Sequence, residues 1–271
     1  MAWGTKPTVP VKEIKPADYF KPVDSYKIPA LEILLFGEPE TMKTGFAMSC
    51  PQPVYGIDTE GKWPIVQRHF PGKQIFVFDL LEKALDVNAD EIDPKIALDE
   101  LENALTSLKD VQEGTIAFDS MTDIYQWMQA WLEQVATYRS EKTGAPYQFE
   151  WGKLNRRWRQ LIQRVMAKKN VTKVYTAHPR EIFLRKEGTG KYEPATHDTL
   201  PFLCHVVLHT YKIPTADIAN PVDYFAVIEK CSFEKSYNRE MRPVTYDQLV
   251  ETLRKDLKVE IARPSKTATR K

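Results

Sequence analysis

The sequence has little cysteine, almost no net charge and no long apolar run. Only Cys50, Cys204 and Cys231 occur, far apart and without a C-x-x-C pair. That spacing excludes a disulfide scaffold and implies reduced thiols in or near a core, in a reducing compartment. Lysine and arginine total 38 against 37 aspartates and glutamates, a net charge of +1. No global field therefore draws the chain to nucleic acid or to a charged membrane, and any such binding must come from a local patch. No apolar stretch approaches the roughly 20 residues that span a bilayer. The N-terminal MAWGTKPTVPVKEIKP lacks the apolar run of a secretory signal. The expected location is cytoplasmic, with no membrane partner. No internal repeat is visible.

What is present is an ordinary globular composition, 42% hydrophobic and 28% charged over 271 residues, long enough for one large α/β domain. Residues 1–29 carry Pro7, Pro10, Pro16, Pro22 and Pro29 and read as an extended arm. Residues 258–271 read as a basic C-terminal tail. Between them, residues 30–257 alternate short apolar runs with helical patterns. Strands are predicted at Ala30 to Phe36, Val54 to Asp58, Ile75 to Asp79, Thr115 to Asp119 and Val171 to Ala177. Helices are predicted from Lys43, over Pro94 to Lys109, through Ile124 to Val135, and over Gly152 to Lys169. Two late strands, His205 to Ile213 and Tyr224 to Phe233, have no helix between them. Thr245 with Gln248 predicts a capping box opening a last helix. The pattern predicts an α/β fold, with a mostly parallel central sheet flanked by helices and antiparallel late strands at its edge.

Directly after the first strand stands Gly37-Glu38-Pro39-Glu40-Thr41-Met42-Lys43-Thr44, followed by Gly45. It matches G-x-x-x-x-G-K-[ST] in register except at Met42. A tight turn from strand to helix aims backbone N–H groups at an anion, and the helix N-terminus favours negative charge. Lys43 is expected to reach the β- and γ-phosphates, and the Thr44 hydroxyl a Mg²⁺ ion. Met42 stands where a left-handed backbone is often required, which costs a non-glycine residue about 1 kcal/mol or more. Either the loop keeps that shape under strain, or it relaxes and binds more weakly.

Three strand ends accompany the loop. Ile57-Asp58-Thr59-Glu60-Gly61 closes the second strand, where Glu60 is placed to orient an attacking water; the alternative is that Asp58 and Glu60 serve as turn and cap carboxylates. TIAFD closes on Asp119, placed to hold Mg²⁺ through water. Thr176-Ala177-His178 closes the next strand, where a polar side chain can meet a γ-phosphate or simply cap the strand. His205 and His209 share one face of a predicted strand, but no third metal ligand accompanies them, so they are assigned to packing.

These segments together resemble the RecA-like P-loop ATPases, and most closely the phage-encoded AAA-type proteins related to single-strand-annealing recombinases. The resemblance runs over about residues 30 to 257, through GEPETMKT, IDTEG, TIAFDSMTDI, WGKLNRRWRQLIQRVM, VYTAHPRE and FAVIEKCSFEKSYNRE. It implies a RecA-like P-loop NTPase fold that binds ATP and Mg²⁺ across residues Gly37 to Gly45. It implies Lys43 and Glu60 as catalytic, Thr44 and Asp119 at the metal, and His178 in the sensor position. It also implies a head-to-tail homo-oligomer with ATP at the interface and a basic residue supplied by the neighbour, Lys230 or Lys235. The family usually has glycine at the position of Met42, a departure that bears on turnover more than on binding.

RecA-like proteins hold single-stranded DNA on loops. Two candidates are Tyr138 to Glu150 and Phe183 to Thr199. Arg139, Lys142, Arg185, Lys186 and Lys191 suit phosphates there, and Tyr147, Phe149 and Tyr192 suit bases. The alternative is two ordinary surface loops. The cations of the Gly152 to Lys169 helix read as a solvated face. The expected function is an ATP-hydrolysing protein of recombination or annealing, acting in the host cytoplasm if phage-encoded, with a single-strand-binding protein as a possible partner through the basic tail. Its alternative is a nucleotide-gated DNA-binding or scaffold protein with little turnover. A kinase ranks last, because no lid-like arginine cluster is evident.

Overall fold

The computed structural model describes residues 27–28, 30–86, 91–218 and 221–261. Most of the expected arm (residues 1–29) and of the basic tail (258–271) lies outside the described residues. The described ends of those segments, Lys27–Ile28 and Glu260–Ile261, pair as a short parallel ladder.

An eight-stranded sheet organises the molecule. In chain order its strands are β1 (Glu32–Gly37), β2 (Val54–Asp58), β3 (Ile75–Asp79), β4 (Thr115–Asp119) and β5 (Thr172–Ala177). A separate hairpin follows, β6 (Pro179–Leu184) and β7 (Glu187–Pro194), and the sheet resumes with β8 (Val206–Pro214), β9 (Val222–Cys231) and β10 (Arg239–Met241). The spatial order is β10-β9-β8-β1-β5-β4-β2-β3. The six strands from β8 to β3 pair parallel, and β9 and β10 add antiparallel at one edge. This is the α/β architecture the sequence predicts.

The helices are α1 (Lys43–Ser49), α2 (Trp63–Gln67), α3 (Leu80–Ala84), α4 (Pro94–Ser107), α5 (Met121–Val135), α6 (Trp151–Met166), α7 (Leu200–Leu203) and α8 (Tyr246–Leu257). Side chains alternate across each strand, so one run of apolar residues serves two cores. Leu34 and Phe36 of β1 join Leu98, Ile124, Leu154 and Leu161 under α4, α5 and α6. Ile33 and Leu35 face the opposite way, with Phe46 of α1 and Leu249 and Leu253 of α8. Thr245 caps α8 by accepting the N–H of Gln248, as expected.

Two local readings change. The predicted loop Phe183 to Thr199 is instead the β6–β7 hairpin, turned at Arg185 and Lys186 (φ 50° and 73°), then the start of α7. Its strands were hidden because β7 is glycine-rich and largely exposed, with no apolar alternation to read. Arg157 does not belong to the solvated face of α6. It pairs with Asp99 at 2.6 Å and Glu102 at 2.9 Å on α4, and lies over the Trp131 ring.

The end of the phosphate-loop helix is secured by one distant cation. The Lys73 ammonium donates to the carbonyls of Met48, Ser49 and Cys50 at 2.9, 2.6 and 2.8 Å. These are the orphan acceptors of a helix C-terminus, where positive charge is favoured. Lys73→Met is expected to lower stability by about 2 kcal/mol, the scale of charged hydrogen bonds lost at a half-buried site. Urea unfolding checks this, and an unshifted midpoint refutes it.

Candidate phosphate-binding site

The parallel strands β1, β2, β4 and β5 all end on one edge, which is where ligands sit in sheets of this kind. Because β5 lies between β1 and β4, its end stands between the loop after β1 and Asp119. Four separate segments thereby converge.

The loop has a defined shape. Gly37 (φ 155°) passes so close to β8 that an added Cβ would meet the Thr210 carbonyl oxygen at 2.3 Å. Thr41 Oγ1 lies 2.7 Å from Thr210 Oγ1 and donates to Glu38 O, tying the loop to β8. The Lys43 ammonium folds back under the loop, donating to Gly37 O at 2.6 Å and Glu38 O at 2.8 Å. Burial lowers its pKa, against the pull of Asp119 and Glu60.

Met42 adopts the left-handed conformation at φ 69° and ψ 15°. The loop therefore keeps the shape a glycine would allow, at a cost of about 1 kcal/mol, rather than relaxing. Its side chain is accommodated because residue 45 is glycine: the Met42 Cε lies 3.0 Å from where a Cβ on Gly45 would stand.

Asp119 is the hub. Its Oδ2 accepts from the Thr44 hydroxyl at 2.6 Å and the Trp63 indole at 3.0 Å, and its Oδ1 from the Thr176 hydroxyl. Burial raises its pKa, and the Thr176 and Thr44 hydrogen bonds oppose that rise. The Thr44 hydroxyl and the Asp119 carboxylate are adjacent hard oxygen donors, a set suited to Mg²⁺.

Asp58 and Glu60 part ways. Asp58 is buried and accepts the N–H groups of Glu60, Gly61 and Trp63, so it shapes the turn into α2. Trp63 then packs on Gly56, where an added Cβ would fall 2.3 Å from its ring. Glu60 points into the site. Its Oε1 accepts from His178 Nε2 at 2.8 Å, and its Oε2 contacts the Lys62 ammonium. The His178 hydrogen bond, with help from Lys62, outweighs burial and holds the Glu60 carboxyl at about 2. The same bond raises the His178 pKa. Asp123 braces this corner, accepting from Thr59 Oγ1 and Ser120 Oγ at 2.6 and 2.7 Å.

A cavity of about 410 Å³ is lined by Pro39, Glu40, Thr41, Met42, Lys43, Thr44, Gly45, Glu60, Asp119 and His178. Gly37 and Glu38 stand behind it, as acceptors for Lys43. The structure thus brings together every residue the sequence singled out for phosphate, metal and water. Sequence reading missed Lys62, Ile65, Val66 and Tyr224 in the lining, and Asp123 and Thr210 behind it. Lys62 was within reach, two residues past Glu60; Tyr224 arrives only through the sheet order. Lys230 is otherwise engaged, its ammonium donating to the carbonyls of Pro201, Phe202 and Cys204 at 2.6 to 3.1 Å. His205 and His209 are packing residues: His205 stacks near Phe233, and His209 stacks on Phe36 with Glu229 at 2.9 Å.

A glycine-shaped loop opening a helix, with a lysine, a threonine and a strand-end aspartate at the carboxyl edge of a parallel sheet, defines a P-loop NTPase. The chain belongs to the AAA domain family, which matches residues 30–215. Among solved structures it is similar to the crystal structure of the RadB recombinase, with 17% identity and a TM-score of 0.40 over 79% of this chain and 88% of that one. No curated protein matches it. Among the described residues, no helix is long and apolar enough to cross a membrane.

Proposed function

We propose that this chain binds and hydrolyses ATP with Mg²⁺ as a RecA-like protein of DNA recombination or single-strand annealing, of the kind phages encode. The observation that carries the reading is the single cavity into which Lys43, Thr44, Asp119, Glu60 and His178 converge. Thr44 and Asp119 would hold the cation, which would screen phosphate charge. Lys43 would leave the loop carbonyls for the phosphate oxygens. Glu60, kept ionised by its His178 hydrogen bond, would accept a hydrogen bond from a water and orient it for in-line attack. His178 is the last residue before β6, so the group that contacts Glu60 is continuous with the hairpin. A change at the nucleotide would reach the hairpin through that joint.

Single-stranded DNA is the proposed partner. Tyr138, Tyr147 and Phe149 are exposed and cluster, with Phe149 centred 5.4 Å from Tyr138 and 6.0 Å from Tyr147. The hairpin exposes Phe183 and Tyr192 beside Arg185, Lys186 and Lys191. Exposed rings among cations suit stacked bases and a phosphate backbone. Assembly is proposed to be homo-oligomeric, with ATP at the interface. Hydrolysis measured with and without single-stranded oligonucleotide tests the reading. Stimulation by DNA is expected, with affinity falling steeply as salt rises. Absence of binding at low salt with ATP refutes the DNA proposal. Bound nucleotide without turnover selects the second reading, a nucleotide-gated DNA-binding or scaffold protein, which the strained Met42 motivates.

A further inference from the structure

A second cavity, of about 490 Å³, shares no lining residue with the phosphate cavity. It is built from α6 and from the stretch that joins the β6–β7 hairpin to α7. Trp158, Ile162 and Met166 line it from α6, with Arg159, and Leu203 lines it from α7.

The wall of this groove is held in place by its own polar groups. His197 stacks on Trp158, with 4.8 Å between ring centroids and 9° between planes. Its Nδ1 accepts the Thr199 N–H at 3.2 Å, so its Nε2 carries the proton and donates to Asn155 Oδ1 at 3.1 Å. The Trp158 indole donates to the Thr199 hydroxyl at 3.0 Å. These groups satisfy one another, and the surface they leave open is apolar. It continues past the cavity: Leu203 is 41% exposed and Phe202, beside it on α7, 80%. An exposed apolar patch with a polar rim marks an interaction site.

The charge here has one sign. No acidic residue occurs in α6 and, among the described residues, none lines the cavity. The nearest in sequence, Asp198, lies 3.6 Å from Arg180. Other cations of α6 are matched: Arg157 by Asp99 and Glu102, Lys153 by Glu150, and Arg164 by Glu102 at 4.0 Å. Arg156 and Arg159 are exposed, and among the described residues neither has an ion-pair partner. An apolar hollow beside unneutralised guanidinium groups suits an apolar side chain carried in an acidic segment. It suits nucleic acid less. Trp158 is buried with one ring face taken by His197, and a single arginine in the lining makes no track for a phosphate backbone.

We infer that this groove docks a partner protein through an acidic peptide segment with an aromatic or large aliphatic anchor. The anchor packs on Met166 and Leu203, and the acidic side chains meet Arg159 and Arg156. The inference does not depend on the reading of the phosphate cavity. Because α6 follows the loop Tyr138 to Glu150 and α7 follows the hairpin, docking here brings the partner to the elements proposed for single-stranded DNA.

The test is fluorescence anisotropy of a labelled synthetic peptide, aspartates around a single phenylalanine, titrated with the full chain. Two control peptides replace the phenylalanine by alanine or the aspartates by lysines. The acidic phenylalanine peptide should bind at least ten-fold more tightly than either control, and more weakly as salt rises. Arg159→Glu should weaken it about ten-fold and strengthen the lysine peptide, which a distorted groove would not do. Leu203→Asp should weaken it about ten-fold; Arg159 is exposed, so its replacement keeps the test valid if the Leu203→Asp protein fails to fold. Equal affinity of the parent for the acidic peptide and its alanine control overturns the docking site, as does unchanged affinity in Arg159→Glu. Self-association of the parent that Leu203→Asp abolishes would assign the groove to a second copy. Binding of single-stranded oligonucleotide, but not of the peptide, that Arg159→Glu abolishes would assign it to nucleic acid. Either result overturns the proposal.

Discussion

Lys43→Ala is expected to weaken ATP binding about 100-fold and to abolish turnover. The ammonium sits 2.6 and 2.8 Å from two loop carbonyls, buried beneath the place where the phosphates would lie. A charged hydrogen bond of this kind is worth about 1.5 to 3 kcal/mol, and 3 kcal/mol is somewhat more than 100-fold in affinity. Alanine also removes the lysine donor from the Gly37 carbonyl and leaves Glu38 O only its Thr41 hydroxyl, so the empty loop should lose order as well as charge. Calorimetric titration with ATP checks the first effect. A variant that binds ATP within three-fold of the parent would remove Lys43 from the phosphate site.

Glu60→Gln should separate binding from chemistry. The amide keeps the shape of the side chain and can still face His178 and Lys62, so ATP affinity should stay within about three-fold. Turnover should fall by about 10² to 10⁴, the usual contribution of a positioned general base. A second readout does not depend on activity. Hydrogen bonding to the Glu60 carboxylate is the first cause of the raised His178 pKa. The carboxylate stabilises the imidazolium, so removing its charge should lower that pKa toward the ordinary histidine value. Histidine titration by NMR measures this directly. An unmoved His178 resonance would mean that the two side chains do not interact in solution; full turnover in Glu60→Gln would remove Glu60 from catalysis.

The loop illustrates how much of the site was legible. Residues Gly37 to Gly45 could be read because the turn, the lysine and the hydroxyl are consecutive, and local geometry alone forces their arrangement. Glu60, Asp119 and His178 were readable by a weaker rule: each ends an apolar strand, and the ends of parallel strands meet. What that rule cannot supply is partnership. That Asp119 accepts from Thr44, Thr176 and Trp63 follows from the insertion of β5 between β1 and β4, which no single segment encodes. Asp58 and Glu60 look equivalent in sequence, yet one carboxylate is spent on three backbone N–H groups and the other faces the cavity. The hairpin escaped detection because its pairing is local to two exposed strands with no buried face to impose a period.

The sequence by itself determined the parallel strands of the central sheet and its longer helices, though not the β6–β7 hairpin. Periods of two and 3.6 residues in apolar side chains are local consequences of backbone geometry and the need to bury one face. It determined the phosphate loop and the three strand-end residues that accompany it. The tertiary structure alone decided which strands are neighbours. That choice brings Tyr224 and Arg242, some 180 to 200 positions along the chain from the loop, to its side. It also decided the fate of Met42. A left-handed residue is strained in any isolated turn; here the strain is tolerated because β8 pins Gly37 and Thr41 from one side, Gly45 leaves space for the side chain, and the sheet edge provides a cavity for it to line.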